Sequence, residues 1–392
     1  MHPSHRAAPA APLLLLLLLL VAGGRRASAA ETMSAADARV TWVGRTQADA
    51  SGAAFFDWEG VYATVTVAAP FTFLTAAIAD NCGGTGVGGG SRWAVLMTPA
   101  DAGASAPAHR IATIWSAASV RDYVLFSSPG ARCDPNCNLN GNVTFRLQRL
   151  TESRLSGCGP AGNLSVVSFT TDGSFLQAPA PGPKRLEFVG DSITAGDLND
   201  GAPSTLCGNA VFNDDIIYST GGQLCLHESQ GGFGAECVYT AWGGIRLGLT
   251  GWGMNQLYFN TFSANGENAY GAYDFSFGVD AVVVNLGTND GPVNPALPWQ
   301  AAYVKFVRAV FAAYAASAPK LAVFIAYGPM TSNYKPEALN ISATLAAEGL
   351  NAHALDLTLP HGMTGCYGHP SLADNVEIAA KAKPQIASVL GW

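Results

Sequence analysis

The sequence predicts two units of different class, an all-β unit followed by a parallel α/β unit. Three observations lead there: strand periodicity fills the first half, a strand–helix–strand succession fills the second, and a proline-rich joint separates them. At 392 residues the chain exceeds the usual size of one domain. Its 49% hydrophobic and 12% charged residues suit a packed core and exclude a disordered chain.

Residues 1–29 read as a signal peptide outside the fold. His2, His5 and Arg6 precede an apolar run from Leu13 to Val21, and Ala27-Ser28-Ala29 supply the small residues of a cleavage site. The leucine run Leu13–Leu20 is too short to span a bilayer, and no later stretch of about eighteen apolar residues follows. The mature protein is therefore expected to be secreted and extracellular, with no membrane partner once the signal is removed. The net charge of −7 becomes more negative on cleavage, because Arg6, Arg25 and Arg26 leave with no acid. Such a balance offers no basic face to neutralise phosphates, so nucleic acid is excluded as a partner.

A secretory route also changes how the cysteines and asparagines are read. Asn142-Val143-Thr144, Asn163-Leu164-Ser165 and Asn340-Ile341-Ser342 are glycosylation sequons. Cys82, Cys133, Cys137 and Cys158 lie in the first half, and Cys207, Cys225, Cys237 and Cys366 in the second, which suggests disulfides within each half. A metal site is the weaker reading, since Cys133-x-x-x-Cys137 has no matching pair. Connectivity does not follow from spacing.

Residues 36–178 are expected to form a β-sandwich of jelly-roll type. Val61, Ala63, Val65 and Val67 alternate with Tyr62, Thr64 and Thr66, the period of a strand with one buried face, and Val143, Phe145 and Leu147 repeat the pattern. Turn-rich segments such as Asp80–Gly84 and Thr171-Asp172-Gly173 separate the strands, without helical periodicity. The glycine-rich stretch Gly83–Gly90 lacks the Gly-Lys-Ser/Thr ending of a phosphate loop and reads as a plain loop.

Residues 179–184 form the joint, where successive prolines fix φ. From 185 to 392 the pattern becomes that of a three-layer α/β/α unit around a parallel sheet. Leu186–Val189, Ala281–Leu286, Leu321–Ala326 and Ala354–Leu357 are apolar strands, continuous because both faces are covered. Between them Val304, Val307, Val310, Phe311 and Tyr314 stack on one face of a helix over 303–316. A last helix starts near Ser371, and Pro384 is expected to interrupt it before Ile386–Leu390 resume.

Ligands of open parallel sheets bind beyond the carboxyl ends of the strands. Gly190-Asp191-Ser192-Ile193-Thr194 and Gly287-Thr288-Asn289-Asp290 follow such strands, and Gly368-His369-Pro370-Ser371 precedes the last helix. Each segment alone suits a helix cap or a turn. Together they bring a nucleophile, an amide donor and a base to one edge of one unit.

In this order these strings resemble the SGNH (GDSL-type) hydrolase superfamily. Trp42-Val43-Gly44-Arg45-Thr46, Phe56-Asp57-Trp58, Gly365-Cys366-x-x-His369-Pro370-Ser371 and the closing Leu390-Gly391-Trp392 extend the resemblance to the two-domain layout of carbohydrate esterase family two, over nearly all of the mature chain. The resemblance implies an SGNH-hydrolase domain behind a β-sandwich. In it Ser192 is the nucleophile and His369 its base, and the oxyanion hole uses the backbone N–H groups of Ser192 and Gly244 and the side-chain amide of Asn289. Two positions depart from the pattern. Gly243 stands where the family usually has serine, and Cys366 stands where many members have an aspartate that orients the histidine. The second departure implies a Ser–His dyad whose ring is oriented by a main-chain carbonyl near 366, with Asp290, Asp356 and Asp374 as alternative acids and His361 as the rival base.

Among Trp242, Trp252, Tyr327 and Tyr367, sugar contact is assigned to Tyr367, beside the catalytic loop, and to Trp242. The activity implied is that of a secreted serine esterase removing acetyl groups from polysaccharide or oligosaccharide, with no metal or cofactor. Because the base must be neutral, activity should rise with pH through roughly 6 to 7.5. The alternatives are an esterase of lipids or small esters, and a carbohydrate-binding protein without catalysis.

Overall fold

The computed structural model describes residues 29–80, 90–99, 106–117, 119–128, 141–152, 164–200, 207, 213–249, 252–263, 271–291 and 296–392. The signal segment up to residue 28, Asn163, most of the glycine-rich stretch, and Cys82, Cys133, Cys137 and Cys158 lie outside them. Among the described residues no helix is long and apolar enough to cross a membrane.

The first half holds two antiparallel sheets. One orders its strands as Gln47–Ala48, Ala54–Phe55, Leu164–Thr171, Phe73–Asp80 and Val120–Ser127, with Glu31–Ser34 also pairing Leu164–Thr171. The other runs Ser174–Leu176, Tyr62–Ala68, Val143–Arg149, Arg92–Pro99 and His109–Trp115, with Thr41–Val43 also pairing Tyr62–Ala68. Phe56, Trp58, Val65, Leu74, Ile78, Trp93, Phe145 and Phe169 form their apolar interior. The alternation at Tyr62–Ala68 marks a strand, as expected, but not a solvated face: every residue except Ala68 is buried. The reason lies in the second half of the chain. Tyr62 packs with Val43 against Val238 and donates a hydrogen bond to Glu236.

That second half is built on a five-stranded parallel sheet in the order Glu236–Ala241, Arg185–Gly190, Ala281–Asn285, Ala322–Tyr327 and Ala352–Asp356. All residues of the third and fourth strands are buried, as parallel strands covered by crossovers must be. The helix Ala296–Tyr314 begins earlier than its apolar period suggested and buries Trp299, Tyr303, Val307, Val310 and Tyr314. Lys335–Ala347 forms a further helix, and the last runs unbroken from Leu372 to Leu390 with Pro384 inside it. The expected interruption at Pro384 does not occur. The backbone bond that proline forfeits is offset where Ile378, Ala382 and Ile386 bury on the same face.

The halves are interlocked by polar groups on the motifs Trp42–Thr46 and Phe56–Trp58. Arg45, fully buried, donates from Nη2 to Glu187 Oε1 at 2.9 Å and lies over the rings of Tyr273 and Tyr258. Glu187 is completed by the hydroxyls of Tyr258, Tyr314 and Thr240. Asp57 accepts from Ser263 N–H and Oγ–H, Trp58 Nε1 donates to the Thr261 carbonyl at 3.1 Å, and Glu59 accepts from Ala241 N–H at 3.0 Å.

Candidate active site

Sheet register explains why distant segments meet. Gly190 pairs with Ala241 on one side and with Asn285 on the other, so three strands end at one level. From them emerge Asp191-Ser192, Trp242-Gly243-Gly244 and, a few residues on, Asn289. The turn at 242–245 is held by Trp242 N–H donating to the Gly190 carbonyl at 3.2 Å and Ile245 N–H to the Trp242 carbonyl at 3.0 Å.

Ser192 opens a single helical turn, Ser192–Ala195, capped by Asp191, whose carboxylate accepts from Ile193 N–H at 3.0 Å. Its hydroxyl lies 2.9 Å from His369 Nε2. On the other side of the ring, Nδ1 lies 3.2 Å from the Cys366 carbonyl oxygen. A carbonyl only accepts, so Nδ1 carries the hydrogen and Nε2 presents its lone pair to the serine. In this tautomer the arrangement would let Nε2 take the proton of the serine hydroxyl.

The alternative acids are occupied elsewhere. Asp374 completes the capping box of the last helix with Ser371 and also accepts from Thr364; burial pulls its pKa up, but those bonds outweigh it and hold the carboxyl below its ordinary range. Asp356 is held by Lys381 and Thr358, and Asp290 accepts from Leu247 N–H. His361 contacts Glu377 and the Gly362 carbonyl on the surface. The acid beside His369 is one the sequence did not single out: Asp197 Oδ2 lies 3.9 Å from Nε2, on the serine side of the ring. Buried Asp214 has its carboxyl pushed well above its usual range by burial and by the nearby carboxylates of Asp197 and Glu152. Nothing in Gly196-Asp197-Leu198 distinguishes this residue from a turn aspartate.

Among the described residues neither Ser192 N–H nor Gly244 N–H has a hydrogen-bond partner. Gly244 is exposed and takes φ +77°, a conformation that favours glycine. Asn289 Nδ2 donates to Asp191 Oδ2 and to the Ile245 carbonyl, each at 3.1 Å. Burial, reinforced by nearby Asp290, pushes the Asp191 carboxyl up to about 7 against the opposing bond from Ile193 N–H. A Cβ at Gly243 would lie 2.5 Å from Glu152 Oε1, so any larger residue there would require the Glu152 carboxylate to shift.

Trp242 packs edge-to-face on Trp252, centroids 5.5 Å apart, and Trp252 is 43% exposed. Tyr367, two residues before His369, is 73% exposed with its ring in solvent, whereas Tyr327 is buried and belongs to the core. Among the described residues no group of three or more His, Cys, Asp or Glu side chains is arranged to hold a metal. A cavity of about 400 Å³ lined by Tyr62, Arg146, Pro181 and Glu236 contains none of Ser192, Asn289 or His369.

The fold defined by these sheets is that of the family two carbohydrate esterases. The structure of one from Cellvibrio japonicus superposes with a TM-score of 0.72 at 17% identity, over 93% of this chain and 99% of that one. One from Clostridium thermocellum in complex with cellohexaose gives 0.72 at 21% identity, over 90% and 99%. An acetyl xylan esterase, Est2A, from Butyrivibrio proteoclasticus gives 0.70 at 19%, over 93% and 100%. In sequence the chain is 27% identical over 235 residues to the cellulase/esterase CelE of Acetivibrio thermocellus. That match covers 56% of this chain and 27% of CelE, so the chain spans about a quarter of that relative. No family model matches the sequence.

Proposed function

We propose that this chain is a secreted serine esterase that removes acetyl groups from carbohydrate esters. In this reading residues 1–29 are a signal peptide, 36–178 a jelly-roll sandwich, 179–184 the joint and 185–392 a three-layer SGNH-hydrolase domain. The observation that carries it is the Ser192 Oγ to His369 Nε2 contact of 2.9 Å, with Nδ1 turned to a carbonyl. The substrate class is supported by the esterases that share the fold, one bound to cellohexaose and one an acetyl xylan esterase.

Ser192 attacks the acetyl carbonyl while its proton passes to His369 Nε2. The resulting imidazolium is held by the Cys366 carbonyl. The oxyanion is received by the N–H groups of Ser192 and Gly244 and by Asn289, which releases the Ile245 carbonyl to reach it. His369 returns the proton to the leaving sugar oxygen. It next takes a proton from water, which attacks the acetyl-serine, and passes that proton to Ser192 Oγ as the acyl–oxygen bond breaks and acetic acid departs. The exposed Tyr367 ring and the Trp242–Trp252 pair offer apolar faces to the sugar.

An aryl-ester series tests this together with acetylated oligosaccharides. The expected order is acetyl above butyryl and longer chains, with hydrolysis abolished in Ser192→Ala and folding intact. Preference for long acyl chains would move the substrate to lipid, and glycan binding without turnover would make the protein a binding module.

A further inference from the structure

Among the described residues the histidine of the proposed dyad has no carboxylate on Nδ1, and its orientation rests on the Cys366 carbonyl in a sharply bent loop. Between Cys366 and His369 two successive residues, Tyr367 (φ 52°) and Gly368 (φ 77°), occupy the left-handed region. Gly368 adopts it freely, but Tyr367 does so at a cost, and its exposed ring has little packing to enforce it. A non-glycine residue stays in this region only where its surroundings over-determine the backbone.

On the carboxyl side the loop is fixed by Pro370 and by the capping box of Ser371 and Asp374. On the amino side stands Cys366, fully buried and joined by a disulfide to Cys207, 159 residues away in sequence. The Cys366 carbonyl accepts both the His369 backbone N–H, at 2.9 Å, and the ring Nδ1, at 3.2 Å. The same residue therefore carries the bridge and the acceptor that sets the tautomer.

We propose that the Cys207–Cys366 disulfide is a positioning device for the base: it pins the carbonyl that orients His369. The proposal rests on the hydrolase reading of the site. The bond acts through His369 and never touches substrate, so breaking it should lower kcat and leave KM unchanged.

The test is Cys207→Ser, with the Cys225→Ala/Cys237→Ala variant, which lacks the bridge between the helix Thr220–Cys225 and the strand Glu236–Ala241, as control. The expected result for Cys207→Ser is a fall in kcat of about ten- to a hundredfold at constant KM. The low-field proton NMR signal of the His369 Nδ1–H should be lost or broadened as well. The control keeps both kcat and the signal. If Cys207→Ser does not fold, stepwise reduction of the control variant, followed by reoxidation, reads the same two quantities and should show loss and recovery. A folded Cys207→Ser protein, or a reduced control variant, that retains kcat and the Nδ1–H signal overturns the proposal. Failure of the hydrolase reading is seen separately, as turnover that survives Ser192→Ala, while the NMR signal still reports whether the bridge holds the ring.

Discussion

At the scale of single residues, chemistry was more legible than its supporting contacts. Ser192, Asn289 and His369 stood out because each sits in a short polar string next to an apolar strand or a helix start, and Ser192 Oγ lies 2.9 Å from His369 Nε2. Asp197 and Glu152 did not stand out, since a carboxylate's role depends on what folds against it. Asn289→Ala should reduce kcat by about 10²–10³ without unfolding the protein, read from steady-state rates and a far-UV spectrum. Asp191 makes a prediction about pH. Its pKa is raised by burial from 3.8 to about 7, so the folded state holds the proton more tightly than the unfolded chain. The contribution to stability is full below about 4 and is lost as pH rises through about 7. Urea unfolding of the protein and of Asp191→Asn should show the native protein losing ground to the variant between pH 5 and pH 8. A constant difference would contradict the assignment.

At the scale of elements, periodicity located the apolar strands and missed those with little apolar signature of their own. Glu236–Ala241 was not anticipated, because Tyr239 and Thr240 interrupt its apolar run; yet this edge strand delivers the turn that carries Gly244. The expectation of one solvated face at Tyr62–Ala68 failed for a related reason: which faces are covered is decided by the other half of the chain. Pro384 shows the limit of local rules, since tertiary burial keeps the helix continuous around it. The start of that helix was legible in Ser371, whose hydroxyl caps Asp374 N–H at 3.2 Å. Ser371→Ala should cost about 1 kcal/mol in denaturant unfolding, with Asp374→Ala no worse than additive only if the two caps act independently.

At the scale of the whole molecule, the motifs at Trp42–Thr46 and Phe56–Trp58 proved to be joints between the halves, a role that sequence could signal only through resemblance. Arg45 and Glu187 are both fully buried. Arg45→Ala strands a buried carboxylate and should cost about 3–5 kcal/mol in urea unfolding, with much of that recovered by Arg45→Met/Glu187→Leu. The central proposal concerns residues brought together over the whole chain: Ser192 Oγ lies 2.9 Å from the ring of a histidine 177 positions away, and we propose that this serine takes the acyl unit. Mass spectrometry after treatment with a fluorophosphonate tests it most directly. The account predicts one adduct, on the peptide bearing Ser192, nearly absent in His369→Ala; an adduct elsewhere, or equal labelling in His369→Ala, would contradict it.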